Sequence, residues 1–163
     1  MKDVRIIVTG GTIDKVHDTR SEGLAFAPDG ASHIPELLHV GRCHFPTVEC
    51  LMLKDSLLFD DADRQAIALA VERAEEDAIV VTHGTGTMGE TARYLQGRCG
   101  EKVVVLTGAM RPISLFASDG EFNLGGAVVA AQILEAGVWG VMNGRVFPAA
   151  QLGKNVEQGR FDI

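Results

Sequence analysis

The sequence is poor in cysteine and in positive charge, and it contains no long apolar segment. Its 163 residues include three cysteines without a C-x-x-C spacing, so we expect no disulfide framework and a reducing compartment. Fifteen Lys and Arg face 22 Asp and Glu, a formal net charge of −7 that disfavours binding to nucleic acid. No apolar run approaches the ~18 residues of a membrane span, and the first residues do not resemble a signal peptide. These absences predict a cytoplasmic protein without nucleic-acid or membrane partners.

Signals for a cofactor or a metal are weak. The glycine-rich turn at Gly10-Gly11 is not G-x-G-x-x-G, and the sequence has neither the P-loop nor the G-x-S-x-G pattern, so this turn gives little indication of a dinucleotide site and the sequence lacks an ordinary P-loop and a serine-hydrolase elbow. The segment His33–Cys50 contains three His and two Cys, but their spacings match no familiar zinc finger or ribbon. We therefore expect no cofactor and no metal ion.

Short apolar runs alternate with amphipathic segments and indicate an α/β protein. The predicted strands are Val4–Val8, Val48–Leu53, Ala78–Val81, Val103–Leu106 and Val138–Met142. The predicted helices lie around Ile34–Val40, Asp60–Ala74, Met88–Arg98 and Phe122–Leu134. The strand runs are continuously apolar, which suits strands covered on both faces. Their order predicts a single doubly wound domain over residues 1–163 with a central, mostly parallel sheet.

One connection is much longer than the others. It runs from Gly10 to about Ser32 and is rich in Gly, Asp, Ser and charged residues. Such a length inside a domain is typical of a functional loop or lid. The alternative is a disordered surface insertion.

Small and hydroxyl-rich residues follow each of the first four predicted strands. These segments are Thr9–Asp14, Lys54–Ser56, Thr82–Met88 and Thr107–Pro112. Ligands of open parallel sheets bind outside the carboxyl ends of the strands, so we expect a site at this edge. A threonine nucleophile would need a base or a lysine nearby, because its hydroxyl is weak at its free pKa. In the alternative interpretation, the threonines only satisfy backbone groups at tight turns.

Sequence blocks at this edge carry a resemblance to a known family. They are Thr9-Gly10-Gly11-Thr12-Ile13, Thr82-His83-Gly84-Thr85, and Gly108-Ala109-Met110-Arg111-Pro112 followed by Ser118-Asp119-Gly120-Glu121-Phe122-Asn123-Leu124. In order and spacing they resemble the signature blocks of bacterial-type L-asparaginases. The length resembles that of the family's N-terminal domain, as in the short, single-domain form of the Rhodospirillum rubrum kind. The resemblance implies that domain's α/β fold, no C-terminal domain, and a homo-oligomer, a dimer or tetramer, in which a second copy completes the site.

The resemblance also implies how the site would work. Thr12 would attack the side-chain amide of L-asparagine, ammonia would leave, and water would release L-aspartate from the acyl-enzyme. Lys154 would assist Thr85, Ser56 would hold the substrate α-carboxylate, and backbone N–H groups would stabilise the oxyanion. The implied catalytic residues are Thr12, Thr85 and Lys154, and the implied substrate-binding residues are Gly11, Asp55, Ser56, Gly84, Gly86 and Ala109. His83 is interpreted as a packed loop residue rather than an acid or base.

The sequence departs from the family pattern at two places. Gly86 stands where the family has an aspartate that grips the substrate α-ammonium, so we expect weak binding or slow turnover of asparagine. The stretch from Gly10 to Ser32 also lacks the family's loop tyrosine, and the only tyrosine, Tyr94, falls in a predicted helix. The group that would activate Thr12 is therefore left open among Asp14, Ser21, Glu22 and a second chain.

The expected activity is an L-asparaginase acting on a small molecule, with L-glutamine as a possible side substrate. One alternative in the same class resembles the asparaginase-like subunit of archaeal tRNA-dependent amidotransferases. A second is a non-catalytic amino-acid-binding or regulatory domain, which Gly86 favours and the retained threonines and lysine oppose. A third is a nucleotide-binding module built on the Gly10-Gly11 turn.

Overall fold

Ten strands and four α-helices lie along residues 1–162, which are the residues that the computed structural model describes. The strands are β1 (Val4–Gly10), β2 (Lys15–Asp18), β3 (Gly23–Phe26), β4 (Thr47–Lys54), β5 (Ala78–Thr82), β6 (Val103–Thr107), β7 (Gly137–Met142), β8 (Arg145–Pro148), β9 (Lys154–Asn155) and β10 (Arg160–Phe161). The helices are α1 (Ile34–Val40), α2 (Asp61–Arg73), α3 (Met88–Leu95) and α4 (Gly120–Ile133). Every strand and helix predicted from the sequence corresponds to one of these elements.

Six strands form the central sheet in the order β4-β1-β5-β6-β7-β8. The first five in this order pair in parallel, and β8 pairs antiparallel with β7. Every residue of β5 and β6 is buried, as expected for Val- and Ile-rich strands with no solvent-facing side. The predicted α/β fold with a mostly parallel sheet is confirmed.

Helices cover both faces of the sheet. One face packs against α2 and α3 in a cluster that includes Ile67, Val71, Met88 and Leu95. The other face packs against α1 and α4 in a cluster that includes Ile34, Leu38, Leu124 and Ala127. The arrangement is therefore doubly wound. Among the described residues, no helix combines the length and the apolar character needed to cross a membrane.

The third helix is shorter than predicted. It ends at Leu95 rather than at Arg98, because Gln96 leaves the helical conformation and Gly97 takes a φ of 77°. A glycine in this left-handed region is a common helix terminator. The prediction to Arg98 followed the amphipathic pattern, which continues past Gln96 and Gly97, where the helix has already ended.

The long connection after β1 is structured rather than disordered. A 3₁₀ turn spans Thr12–Asp14, and the strands β2 and β3 then form an antiparallel hairpin. Ser114 Oγ donates to the Lys15 carbonyl oxygen at 2.7 Å. The hairpin is therefore tied at its base to the loop after β6.

The strand order reverses between β1 and β5. From β1 the chain moves outward to β4 on one side, and it then crosses to β5 on the other side. In doubly wound sheets such a reversal opens a crevice at the carboxyl ends of the two strands, where ligands bind. The segments that follow β1 and β5 contain Thr12 and Thr85.

Candidate active site

Two glycines bring the loops after β1 and β5 into direct contact. Gly11 has φ 81° and ψ −180°, a conformation that is open essentially to glycine alone. A β-carbon at Gly11 would lie 2.4 Å from the Gly84 nitrogen, so no larger residue fits between the two backbones. Thr9 Oγ1 also donates to the Thr82 carbonyl oxygen at 2.6 Å. Thr12 and Thr85 are therefore the immediate chain neighbours of two glycines that touch.

The loop after β4 joins the same contact. A β-carbon at Gly84 would lie 2.3 Å from Ser56 Oγ, and Ser56 is almost fully buried. Thr87 Oγ1 donates to the Ser56 carbonyl oxygen at 2.8 Å. The structure thus brings together Gly11, Gly84 and Ser56, three residues that the sequence blocks predicted for one site.

Lys154 reaches this crevice from β9. Its Nζ donates to Thr85 Oγ1 at 3.3 Å, across 69 positions of sequence. Thr85 is 7% exposed, so the contact lies in a largely desolvated place. The two residues that the resemblance paired are therefore neighbours in the structure.

A relay of asparagine side chains positions the segment that carries Lys154. Asn123 Nδ2 donates to the Gly108 carbonyl oxygen at 2.9 Å, and Asn123 Oδ1 accepts from Asn143 N at 2.9 Å. Asn143 Oδ1 in turn accepts from Phe161 N in β10 at 2.8 Å, and β10 pairs with the strand of Lys154. The role of Asn143 was not predicted from the sequence, although Asn143-Gly144 is a dipeptide typical of tight hairpin turns.

The loop after β6 is fixed by one carboxylate. Asp119 accepts hydrogen bonds from the backbone nitrogens of Met110 and Arg111, each at 3.0 Å. Ala109 is fully buried beside them. At the preceding residue, a β-carbon on Gly108 would lie 2.3 Å from the His83 carbonyl oxygen. Ala109 therefore belongs to a loop that packs against the loop after β5.

His83 is a packed, neutral residue, as interpreted from the sequence. Its ring is fully buried, and burial lowers its pKa from 6.5 to about 4. Nδ1 lies 2.8 Å from the Gly84 carbonyl oxygen and Nε2 lies 2.8 Å from Thr91 Oγ1. Because a carbonyl only accepts, Nδ1 carries the proton and Nε2 accepts from the threonine hydroxyl. The imidazole therefore braces the loop that contains Thr85.

The predicted residues Asp55 and Gly86 have surroundings that the sequence did not predict. Asp55 Oδ2 pairs with Lys15 Nζ at 2.6 Å, and this ammonium group lowers the pKa of the carboxyl group. At Gly86, a β-carbon would lie 2.7 Å from Leu57 Cδ2. The turn after β4 thus carries both an internal ion pair, at Asp55, and a leucine methyl group that faces Gly86.

Two of the candidate activators of Thr12 form other hydrogen bonds. Asp14 is buried, which raises its pKa, and it accepts from Ser32 Oγ at 2.9 Å and from His33 N at 2.7 Å. Ser21 Oγ donates to Asp18 Oδ2 at 2.7 Å within the turn of the β2–β3 hairpin. None of these three hydrogen bonds involves Thr12. Glu22 lies exposed in the same turn.

A second glycine motif follows β5 and was not singled out in the sequence. Residues 84–89 open α3 and read G-T-G-T-M-G, the spacing of a dinucleotide fingerprint. At the last glycine, a β-carbon would lie 2.2 Å from the Leu152 carbonyl oxygen. The three glycines make room for Ser56, Leu57 and Leu152 of the same chain. Elsewhere in residues 1–162, no group of three or more His, Cys, Asp or Glu side chains is arranged to hold a metal ion.

Comparisons with known proteins agree with this architecture. Residues 3–161 match the family model described as asparaginase, N-terminal. L-asparaginase 2 of Bacillus subtilis is 30% identical over 167 aligned positions, which cover 94% of this chain and 44% of that protein. A glutamyl-tRNA(Gln) amidotransferase component of Methanococcus vannielii is 32% identical over 151 positions, covering 90% and 35%. The crystal structure of a probable cytoplasmic L-asparaginase from Campylobacter jejuni matches with a TM-score of 0.78 and 30% identity, covering 93% of this chain and 49% of that one.

The fold is thus a doubly wound α/β domain whose polar loops meet where the strand order reverses. The chain belongs to the asparaginase family, and the resemblance found in its sequence blocks is confirmed. It spans about half the length of the relatives that it matches.

Proposed function

We propose that the chain hydrolyses a primary side-chain amide to a carboxylate and ammonia, with L-asparagine as the reference substrate. The observation that carries this proposal is the 3.3 Å contact between Lys154 Nζ and Thr85 Oγ1. An ammonium group beside a hydroxyl lowers the cost of removing its proton. The pair lies in the crevice where Thr12 and Ser56 also lie, and membership of the asparaginase family supports the same chemistry.

In the proposed reaction, Thr12 Oγ1 attacks the amide carbon and the C–N bond breaks. The threonine proton passes to the leaving nitrogen, ammonia departs, and an ester with Thr12 remains. Thr85, assisted by Lys154, activates the attacking group, which is first the hydroxyl of Thr12 and then the water that hydrolyses the ester. The products are the free carboxylate and the regenerated threonine.

The crevice supplies groups for binding and for charge stabilisation. We propose that the Thr85 backbone N–H, where the two strand-end loops meet, stabilises the oxyanion. The Gly11 N–H does not serve this role, because it donates to the Lys54 carbonyl oxygen at 3.2 Å. The hydroxyl of Ser56, at the buried contact with Gly84, is proposed to hold the substrate carboxylate, with Asp55 and Ala109 shaping the pocket around it.

Two other functions have specific support. Gly86, which replaces a carboxylate of the family pattern, favours a non-catalytic domain that binds an amino acid. The similarity to a component of a glutamyl-tRNA(Gln) amidotransferase favours an amidase within a larger system. Lys154 beside Thr85 argues against the first, because a binding domain has no need of a lysine that activates a hydroxyl.

The experiment is a measurement of ammonia release from L-asparagine by the purified chain and by Thr12→Ala. We expect the variant to lose at least about a hundredfold in rate, as is usual when a nucleophile is removed. Thr19→Ala is the matched control, because Thr19 is an exposed threonine in the turn of the β2–β3 hairpin. Equal rates for the parent and Thr12→Ala would refute Thr12 as the nucleophile.

We also propose a cytoplasmic homo-oligomer. Three cysteines are unpaired in the described structure, which suits a reducing compartment. The apolar segment 138–147 lies mostly in the core, since Val138, Met142 and Phe147 are buried. An exposed apolar stripe lies instead on α4, formed by Phe122, Val129 and Ile133, and it fits a second copy of the chain. Light scattering that gives only the monomer mass would refute the oligomer.

A further inference from the structure

In the part of the chain that the structure describes, the wall of the crevice at Gly86 is apolar and offers no charged partner to a cationic group of the substrate. A side chain at position 86 would begin 2.7 Å from Leu57 Cδ2. Leu57 is 73% exposed, so a large aliphatic side chain faces water at the mouth of a polar crevice. An exposed apolar group of this kind, beside Gly86 and one residue after Ser56, offers a contact surface for substrate.

The position of this leucine is fixed by the backbone around it. Leu57 lies in a 3₁₀ turn, and its nitrogen donates to Asp55 Oδ1 at 3.0 Å. Thr87 Oγ1 holds the preceding carbonyl oxygen, that of Ser56, at 2.8 Å. The turn that carries Leu57 is therefore capped by Asp55 at its start and held there to the loop after β5.

Carboxylates that flank the strand-end loops are already paired within the chain. Ion pairs join Asp55 to Lys15 at 2.6 Å, Asp63 to Lys54 at 2.6 Å and Glu90 to Arg64 at 3.0 Å. Asp14 and Asp119 accept hydrogen bonds from backbone N–H groups and neighbouring side chains. Within this chain's residues 1–162, a substrate ammonium would have to displace one of these partners, or lie in the crevice without a counter-charge, which is unfavourable.

Lys154, in contrast to these carboxylates, gives the crevice a positive charge. Within residues 1–162, Lys154 forms no salt bridge, and its hydrogen bond is to the neutral hydroxyl of Thr85. This ammonium group attracts an anionic substrate and repels a cationic one. A carboxylate on the substrate is therefore favoured here, whereas an α-ammonium is not.

We infer that the preferred substrates are monoamides of dicarboxylic acids that lack an α-ammonium group, with Leu57 and Gly86 as the residues that determine this specificity. The simplest member is succinamic acid, which is asparagine without its amino group. Its C–N bond would break as Thr12 forms the ester, the nitrogen would leave as ammonia, and water would release succinate. The inference rests on the proposed amide hydrolysis and narrows its substrate.

The first test compares kcat/KM for succinamic acid and L-asparagine, measured as ammonia release by the purified chain. We expect succinamic acid to be preferred by about tenfold or more, since the unpaired ammonium is the only difference between the two molecules. Equal or higher kcat/KM for asparagine would overturn the inference and leave the hydrolase function standing. Ammonia from neither amide would overturn the function, and the inference with it.

A pair of double variants tests whether Leu57 and Gly86 determine the substrate preference. Leu57→Ala with Gly86→Asp makes room for a side chain and adds a carboxylate, whereas Leu57→Ala with Gly86→Asn adds the same shape without charge. We expect only the aspartate variant to shift the preference towards asparagine, by about tenfold or more. A similar shift in both variants would overturn the argument from charge.

Product binding gives a readout that does not depend on turnover. Calorimetry on the unaltered chain should show tighter binding of succinate than of L-aspartate. Tighter binding of L-aspartate would overturn the inference.

Discussion

The two partners of the Thr85–Lys154 contact come from regions that are held in place differently. Thr85 follows β5, a fully buried strand in the middle of the sheet. Lys154 lies in a two-stranded hairpin whose partner strand is anchored by Asn143 and by the packing of Phe161 against Phe147, with ring centroids 6.4 Å apart. The core therefore fixes the threonine, and a few local contacts fix the lysine. Substitutions in the two regions should fail in different ways.

The largest effect is expected on the crevice side, at Gly11→Ala. The new methyl group would meet the Gly84 backbone at 2.4 Å in a conformation open to glycine, so we expect a loss of roughly 3–5 kcal/mol in the free energy of unfolding. Urea denaturation measures it. Gly97→Ala is the control, because Gly97 also has a positive φ but nothing within 4 Å of its β-carbon position. A similar loss in both variants would show that the contact with Gly84 contributes little.

A second effect on the crevice side depends on pH. Folding lowers the pKa of His83 from 6.5 to about 4, so the unfolded chain binds more protons between these values. The stability that comes from neutral His83 is complete above pH 6.5 and is lost as the pH falls through 4, a total of roughly 3 kcal/mol. Unfolding curves across this range should show the loss.

The same measurement on His83→Gln should show a flatter dependence on pH, because the titrating group is gone. His17→Gln is the control, since His17 is exposed on the β2–β3 hairpin. If the parent and His83→Gln show the same slope, the histidine does not titrate with the lowered pKa.

The smallest change in stability is expected on the lysine side, at Asn143→Gly. Glycine accepts the φ of 52° at this position but removes the acceptor for Phe161 N, so we expect a loss of about 1 kcal/mol. The rate of ammonia release should fall by about tenfold with KM little changed, because Lys154 is less well positioned. Asn143→Asp keeps an acceptor oxygen and should recover most of the rate. Loss of stability without loss of rate would show that the relay does not position Lys154.

The sequence predicted the sheet well because its strands are continuous apolar runs, and α3 could be predicted because its amphipathic period is clear. The crevice could also be predicted, since small residues and hydroxyls follow successive parallel strands, which end at one edge. The β2–β3 hairpin could not, because its four-residue strands are too short to give a period. The helix at Met88 was predicted too long because periodicity does not mark the stop at Gly97.

Contacts made at a distance account for the remaining differences. The pairs Lys15–Asp55 and Asn143–Phe161 are distant in sequence. Each pair forms because segments that follow different strands meet, and no local pattern predicts such a meeting. The wall formed by Leu57 beside Gly86 depends on the turn after β4 reaching the loop after β5. The absence of a carboxylate at position 86 was visible in the sequence, but the approach of Leu57 to this position was not.

The separation of 69 positions between Thr85 and Lys154 also has a consequence for the order of synthesis. Thr12, Ser56 and Thr85 leave the ribosome before Lys154 emerges. A nascent chain therefore contains these three hydroxyl groups before it contains the amine. The proposed hydrolysis would then begin only when the β9–β10 hairpin closes, and ribosome-bound fragments ending before Lys154 would remain inert.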